Sequence, residues 1–409
     1  MSVSATEPGV ASRGYTAKSL HEDARSLHQS RVAWWTIGWV CVASALALSI
    51  IGVMAIDTTR PDLAMKHLVH LGFGVCVAVA VAVPHYRWAR RMAYPLLGIS
   101  ILLLVFILLP GVPEAIVRPR NGARRWISLV VTDFQPSELA KFAYVAALAS
   151  YLRMRSNYRT LTGLLRPLAL TFLPMGLVLI EPDLGTALLF LPTLFAMLIA
   201  AGAKIKHMLL VVVLGLSLAP MMYPLLKPHE KDRIMAMVAQ LKGDDRYRDD
   251  IGFQAERAMV LVGAGGLFGA HPKEHAAALI EFNRLPEEHN DMIFAVVCCR
   301  WGLMGGLVVF GLMLSLCVSG IIVAGLSRDP FGRLVAVGLV AILFAQTTIN
   351  AGMTIGLLPI TGMTLPFVSQ GGTSLVIAWV MVGFIVNIAL RRARYLVRHS
   401  FEFDTMSSE

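Results

Sequence analysis

The amino-acid sequence predicts an all-α, polytopic membrane protein with ten transmembrane helices, both termini in the cytoplasm, and a long extracytoplasmic loop between helices 7 and 8. Three observations carry this expectation. Of 409 residues, 56% are hydrophobic and only 15% charged, and the mean hydropathy of +0.66 is too high for a soluble globular chain. Apolar windows close to the roughly 20 residues needed to cross the hydrocarbon core recur from end to end. Lys and Arg gather on alternate connections, as short cytoplasmic loops require.

The windows lie near 34–55, 66–84, 92–110, 138–153, 165–180, 183–201, 207–226, 292–325, 333–354 and 373–391. Ahead of the first, residues 1–33 are polar, contain Arg13, Lys18, Arg25 and Arg31, and lack an apolar signal core. The first window is therefore an uncleaved anchor, although Ala43-Ser44-Ala45 imitates a cleavage site. Window 2 is followed by Arg87, Arg90 and Arg91, window 4 by Arg153, Arg155, Arg159 and Arg166, and window 6 by Lys204 and Lys206. Window 8 is followed by Arg328 and Arg333, and window 10 by Arg391, Arg392, Arg394 and Arg398. Four connections then face outward: 111–137, the turn near 181–185, 227–291 and 355–372. The resulting organisation is a cytoplasmic tail (1–33), a membrane domain (34–398) and a second tail (399–409).

The formal charge of +10 follows from the same orientation rule and from attraction to anionic lipids, and gives no reason to expect nucleic acid. Cys41, Cys76, Cys298, Cys299 and Cys317 all fall in predicted spans, where they act as small buried hydrophobes. No internal repeat supports an inverted-repeat transporter.

The outward connections hold the unusual residues. In 121–141, NGARRWISLVVTDFQPSELAK, Pro136 and Glu138 read as a helix start, with Lys141 one turn below as an i,i+3 partner. Arg124 and Arg125 break the positive-inside trend and suit phosphate, although guanidinium groups also snorkel to lipid headgroups. In the turn Glu181-Pro182-Asp183, Asp183 suits an N-cap for the sixth helix and Glu181 is left wanting a cation. The segment NRLPEEHNDMIF (283–294) crowds acids against the start of an apolar run. Asn290 or Asp291 could cap that helix, and an acid sunk at membrane depth is equally a functional candidate. His271-Pro272-Lys273-Glu274-His275 matches the H-x-x-E-H zinc pattern, but needs a helix presenting both histidines and a third ligand. The Gly-, Pro- and Thr-rich stretch 352–375 should dip back to line a cavity, because irregular backbone at membrane depth survives only where it is sheltered.

GARRWI with FQPSELAK, then EPDLGTA, GAGGLFG, LPEEHNDMIFAV and GMTIGLLPITGMTLPFVSQGGTS occur in that order. Together they resemble the RodA/FtsW proteins, the SEDS family of bacterial cell-wall polymerases, over almost the whole chain outside the tails. The resemblance implies a peptidoglycan glycosyltransferase of the bacterial cytoplasmic (inner) membrane that polymerises lipid II on the extracytoplasmic face and works with a class B penicillin-binding transpeptidase. The family's essential acid falls on Asp291, and His289 matches the motif histidine. Arg124, Arg125, Glu138, Lys141, Glu181 and Asp183 match residues around the family's central cavity, and Thr361 and Ser369 join them as candidate substrate contacts. Asn290 stands for the usual Thr, Met292 for Phe and Gln370 for a common Tyr. VVCCRWG (296–302) replaces a GEELG-like run, which removes a glutamate pair.

That chemistry suits these residues. A carboxylate at Asp291 would take the proton of a sugar 4-hydroxyl as it attacks C1 of a lipid-linked donor. The departing diphosphate needs charge compensation rather than a second acid, from guanidinium groups or alternatively from a bound divalent cation; no other cofactor is implied. A precursor flippase and a non-catalytic scaffold for the transpeptidase are the rival readings of the same cavity.

Overall fold

The computed structural model describes residues 17–117, 119, 123–129, 133–154, 160–222, 231–232, 235, 238–239 and 252–391. Its helices are α1 (Ala17–Ile56), α2 (Pro61–Ala82), α3 (Arg87–Leu108), α4 (Pro136–Arg153), α5 (Leu161–Ile180), α6 (Leu184–Ala201) and α7 (Ile205–Met222). They continue with α8 (Phe253–Ala264), α9 (Lys273–Asn283), α10 (Ile293–Leu326), α11 (Pro330–Thr354) and α12 (Gly372–Leu390). Two short strands, β1 (Ile127–Ser128) and β2 (Asp133–Phe134), pair antiparallel between α3 and α4.

Each apolar window coincides with a helix. Pro at the first turn starts α2, α4 and α11, and Gly202 in the left-handed region closes α6. Eight helices among the described residues are long and apolar enough to cross a bilayer. The other two of the ten windows differ for separate reasons. In α4 the charges of Glu138, Lys141 and Arg153 interrupt the apolar run, and in α7 the apolar stretch covers Ile205–Gly215.

Helices also occur in two of the segments outside the apolar windows. Residues 17–33, expected as a tail, are helical and continuous with the first span. Apolarity marks the part of a helix that meets lipid, and nothing in 17–33 is Gly or Pro to end the helix earlier. The segment 227–291 contains α8 and α9. Arg13, Arg155, Arg159, Arg392, Arg394, Arg398 and the tail 399–409 lie outside the described residues.

The centre of the bundle is α4, α11 and α12. From Pro136 to Ala149 every residue of α4 except Leu139 is buried, so the least apolar of the ten window helices is also the most enclosed. Its polar groups face protein, where they can be satisfied. In α11 and α12, 72% and 67% of the apolar window is buried, against 28% in α2, α3 and α5, which lie on the outside of the bundle. Gly383 of α12 lets α2 approach until a Cβ there would lie 2.5 Å from the Ala78 carbonyl oxygen.

Residues 303–326 of α10, 24 in number, extend about 36 Å at 1.5 Å per residue, enough for the ~30 Å hydrocarbon core. The first two turns of α10, Ile293 to Cys299, are wholly buried, and outward-facing apolar residues begin at Leu303. Between these regions the helix breaks at Gly302, whose φ of 68° takes it out of the helical basin. The turn after α8 mends the break. Ala270 N donates to the Cys299 carbonyl at 2.9 Å, and Leu303 N and Met304 N donate to the Gly266 and Leu267 carbonyls at 2.9 and 3.1 Å. Two glycines of GAGGLFG are required because this contact is backbone on backbone: a Cβ on Gly265 would meet Cys298 O at 1.9 Å, and one on Gly269 would meet Arg300 O at 2.2 Å. Arg300, in the CCRW departure, donates to the Met54 carbonyl and to Thr58 Oγ1 at the end of α1.

Candidate functional site

The ends of α4, α6, α10 and α12 and the irregular segment 355–371 surround a cavity of about 940 Å³. Asp291, His289, Arg125, Glu138, Lys141, Asp183 and Thr361 all line it. Of the residues selected from sequence, Arg124, Glu181 and Ser369 do not.

Asp291 reaches the cavity because the chain between α9 and α10 folds around Glu287. Arg284, at φ 49°, ends α9, and the amides of Asn290 and Met292 both turn back to the Glu287 carbonyl, at 3.0 and 3.4 Å. The side chain of Asn290 donates to Glu287 Oε2 at 2.5 Å. The N-cap of α10 is Met292, with no side-chain cap, so neither Asn290 nor Asp291 takes the capping role the sequence offered. Asp291 is 8% exposed, at a boundary between water and protein. Arg60 Nε stands 3.8 Å from Glu288 and ties the rim of this segment to the α1–α2 turn.

Opposite lies the first turn of α4. Lys141 Nζ donates to Glu138 Oε1 at 2.9 Å and to Gln346 Oε1 of α11 at 3.1 Å. Gln346 Nε2 continues to the Thr364 carbonyl at 2.9 Å and to its Oγ1 at 3.2 Å, and Thr364 Oγ1 meets Ser374 Oγ at 2.9 Å. One network thus fixes α4, α11, the irregular segment and α12. The i,i+3 pair read from sequence is part of that network rather than an interfacial anchor.

Asp183 does cap α6, accepting from Thr186 N at 3.2 Å through Oδ1, while its Oδ2 accepts from Gln135 Nε2 at 3.2 Å. Arg125 clasps the same turn: Nε donates to the Glu181 carbonyl at 3.0 Å, a second nitrogen donates to the Pro182 carbonyl, and Nη1 lies 3.9 Å from Asp183 Oδ1. The cation Glu181 wanted therefore reaches its main chain. Neither carboxyl oxygen of Glu181 has a hydrogen-bond partner among the described residues. Burial, reinforced by the Asp183 carboxylate and opposed by Arg125, pushes the Glu181 pKa up to about 9, which keeps this acid neutral.

The segment 355–371 dips back to line the cavity with Ile360, Thr361, Gly362, Met363, Thr364, Gln370 and Gly371, as its composition suggested. Ser369 faces inward instead, accepting from Leu365 N at 2.7 Å. Thr361 Oγ1 lies 3.4 Å from Met353 Sδ, and Gln370 N donates to the His289 carbonyl at 2.9 Å. Asn350 Nδ2 donates to the main-chain oxygens of Asp291 and Met363 at 2.8 and 2.6 Å.

Sequence reasoning passed over Gln346 and Asn350, which sit inside an apolar window, and over His70, Trp126, Asp133, Gln135 and Gln254, which also line the cavity. The signal was available for Gln346 and Asn350, since a polar side chain within a span is a functional candidate by default. The H-x-x-E-H reading fails: α9 begins at Lys273 with Pro272 as its N-cap, so His271 lies outside the helix that would have had to carry both histidines. Five carboxylates (Asp133, Glu138, Asp183, Glu287, Asp291) but only two Lys or Arg residues (Arg125, Lys141) line the cavity among the described residues. No group of three His, Cys, Asp or Glu among the described residues is arranged to hold a metal ion.

Residues 25–394 match the model of the FtsW, RodA and SpoVE family, described as "Cell cycle protein". The chain is 32% identical over 380 residues to "Probable peptidoglycan glycosyltransferase FtsW" of Coxiella burnetii, covering 88% of this chain and 98% of that one. It is 34% identical over 337 residues to "Stage V sporulation protein E" of Bacillus subtilis, covering 81% and 88%. Among solved structures it superposes with a TM-score of 0.74 on a chain from work on the structural coordination of polymerization and crosslinking by a peptidoglycan synthase complex, at 30% identity and covering 87% and 98% of the two chains. With the Thermus thermophilus rod shape determining protein RodA the TM-score is 0.63, at 28% identity, covering 87% and 97%.

Proposed function

The chain belongs to the FtsW/RodA/SpoVE family and is a multi-pass bacterial membrane protein and a peptidoglycan glycosyltransferase; from this premise we propose that it polymerises lipid II by inverting transfer, with Asp291 as general base. The observation that carries the reading is the placement of Asp291, at the border of a roomy cavity that also holds His289, Arg125, Asp183 and Thr361.

In the proposed reaction the 4-hydroxyl oxygen of one lipid-linked sugar attacks C1 of another. The O4–C1 bond forms as the bond from C1 to the diphosphate oxygen breaks, and the hydroxyl proton passes to the Asp291 carboxylate. A positioned base contributes about 10²- to 10⁴-fold. The leaving diphosphate carries its own charge away, so no second acid is required. Arg125 has committed two of its nitrogens to the Glu181 and Pro182 carbonyls, and Nη1, 3.9 Å from Asp183 Oδ1, is the guanidinium edge that phosphate or sugar oxygens would share with that carboxylate. Lys141, Glu138, Asp183, His289 and Thr361 serve as substrate contacts. The same role for Arg124, Glu181 and Ser369 requires a change of side-chain orientation on binding.

The family reading extends to topology. We place ten spans across the cytoplasmic membrane, with both termini inside, the membrane domain at 34–398 between two tails, and the cavity and 227–291 outside. The partner is a class B penicillin-binding protein supplying crosslinking. A likeness to a chain of a peptidoglycan synthase complex supports that pairing.

The test uses purified protein in detergent, labelled lipid II, and an inhibitor of unrelated transglycosylases. Glycan polymer should form with wild type and fall at least ~10²-fold with Asp291→Asn. Polymer persisting in that variant removes the base assignment. No polymer from wild type supplied with its transpeptidase partner favours precursor translocation or a scaffolding role.

A further inference from the structure

Asn350 of α11 joins two segments that lie 59 and 13 residues away along the chain. One side-chain nitrogen serves both: Nδ2 donates to the Asp291 carbonyl at 2.8 Å and to the Met363 carbonyl at 2.6 Å. Both acceptors are main-chain oxygens, so the amide can be seated only one way round. Asn350 is fully buried, and its Oδ1 has no hydrogen-bond partner among the described residues. Leaving a buried acceptor unsatisfied is a cost that an apolar residue would avoid. What the amide contributes is its nitrogen.

What it does is hold the residue ahead of α10. An α-helical turn would bring Ala295 N onto the Asp291 carbonyl, but that amide donates to Met292 at 3.0 Å instead. Asn350 supplies the donor, and fixing a carbonyl fixes ψ of its residue and with it the direction of Cβ. On the far side of the carboxylate, a Cβ placed on Gly362 would lie 3.9 Å from Asp291 Oδ2. The pinned Met363 carbonyl belongs to the very next residue. Asp291 and the lip of the irregular segment are thus set against each other by one amide group.

We propose that Asn350 is a positioning residue for the transfer reaction, holding the backbone of Asp291 and the 361–363 lip in register so that the carboxylate points into the cavity. This rests on the reading of Asp291 as the base. Misplacing a catalytic group by about 1 Å costs on the order of 10²-fold.

The test compares full-length wild type, Asn350→Asp, Asn350→Ser and Asp291→Asn in the lipid II polymerisation assay. Asn350→Asp keeps the shape but presents an oxygen to two carbonyls, and Asn350→Ser is smaller and keeps one donor. Both should lose about 10²-fold in kcat with KM nearly unchanged. Asn350→Ser should also speed amide exchange in peptides covering 286–293 and 359–366, with the rest of the bundle exchanging as in wild type. Wild-type kcat and exchange in either correctly folded Asn350 variant overturns the proposal, as does loss of activity through KM alone. If instead Asp291→Asn remains active, the base assignment has failed on its own account. Should Asn350→Asp not fold, Asn350→Ser and the exchange measurement still decide.

Discussion

Lys141 and Glu138 form an ion pair, 2.9 Å from Nζ to Oε1, in which neither side chain is more than 7% exposed. Removing one partner of such a pair strands a buried charge, at about 3–5 kcal/mol. Lys141→Met or Glu138→Gln alone should lower stability by that amount, and Gln346 would lose its donor in the first case. The double variant, with no charge left to strand, should recover most of the loss. Thermal unfolding of the four proteins in one detergent gives the cycle directly.

Arg125 and Arg124 adjoin in sequence but differ in structure. Arg125 forks across two carbonyls of the α5–α6 turn, whereas Arg124 does not line the cavity. A lysine offers a point charge and cannot reproduce the fork. Arg125→Lys should therefore lower kcat/KM about 10-fold or more, the kinetic equivalent of one charged hydrogen bond, and Arg124→Lys, which breaks no such fork among the described residues, should lower it less. Steady-state polymerisation rates against lipid II concentration check both.

Glu181 makes stability fall with rising pH. Its folded pKa is raised to about 9, above the 4.3 or so of an exposed Glu, so the folded state binds the proton more tightly than the unfolded one. Stability is undiminished below about pH 4.3, erodes as pH rises, and stops eroding once the folded group also ionises near 9. Glu181→Gln removes this dependence. Its melting temperature should match wild type at pH 4.5 and exceed it at pH 8.

The turn that mends α10 separates two glycine substitutions that look alike on paper. Gly265→Ala would drive a methyl group to 1.9 Å from Cys298 O, a backbone clash at or beyond the upper end of the ~1–3 kcal/mol for overpacking. Gly263→Ala, in α8 with nothing within 4 Å, should stabilise by about 0.5–1 kcal/mol through helix propensity. Melting temperatures moving in opposite directions would confirm the contact.

Hydropathy made the spans legible because lipid demands apolar surface over a fixed length, and each window became a helix. It said little about α8 and α9, whose 12 and 11 residues mix polar and apolar positions below the length at which apolarity speaks. Charges drew attention to Asp291, Glu138, Lys141, Asp183 and Arg125, which the fold does bring around one cavity. Glu181 and Ser369 show the limit of that approach. Sequence tells that a polar group needs a partner or a purpose, but which way it turns depends on packing. Asn350 was hidden for the opposite reason: an uncharged amide barely disturbs an apolar window, so averaging erased the residue that touches Asp291's backbone.

The break at Gly302 bears on how the chain is assembled. The turn at 265–270 is synthesised before the helix it repairs, and α10 is the first long apolar segment to follow it. When α10 enters the bilayer, donors and acceptors for its open main chain already exist nearby. A chain with this turn deleted would leave Leu303 N, Met304 N and the Cys299 carbonyl without these partners for as long as the break at Gly302 persisted.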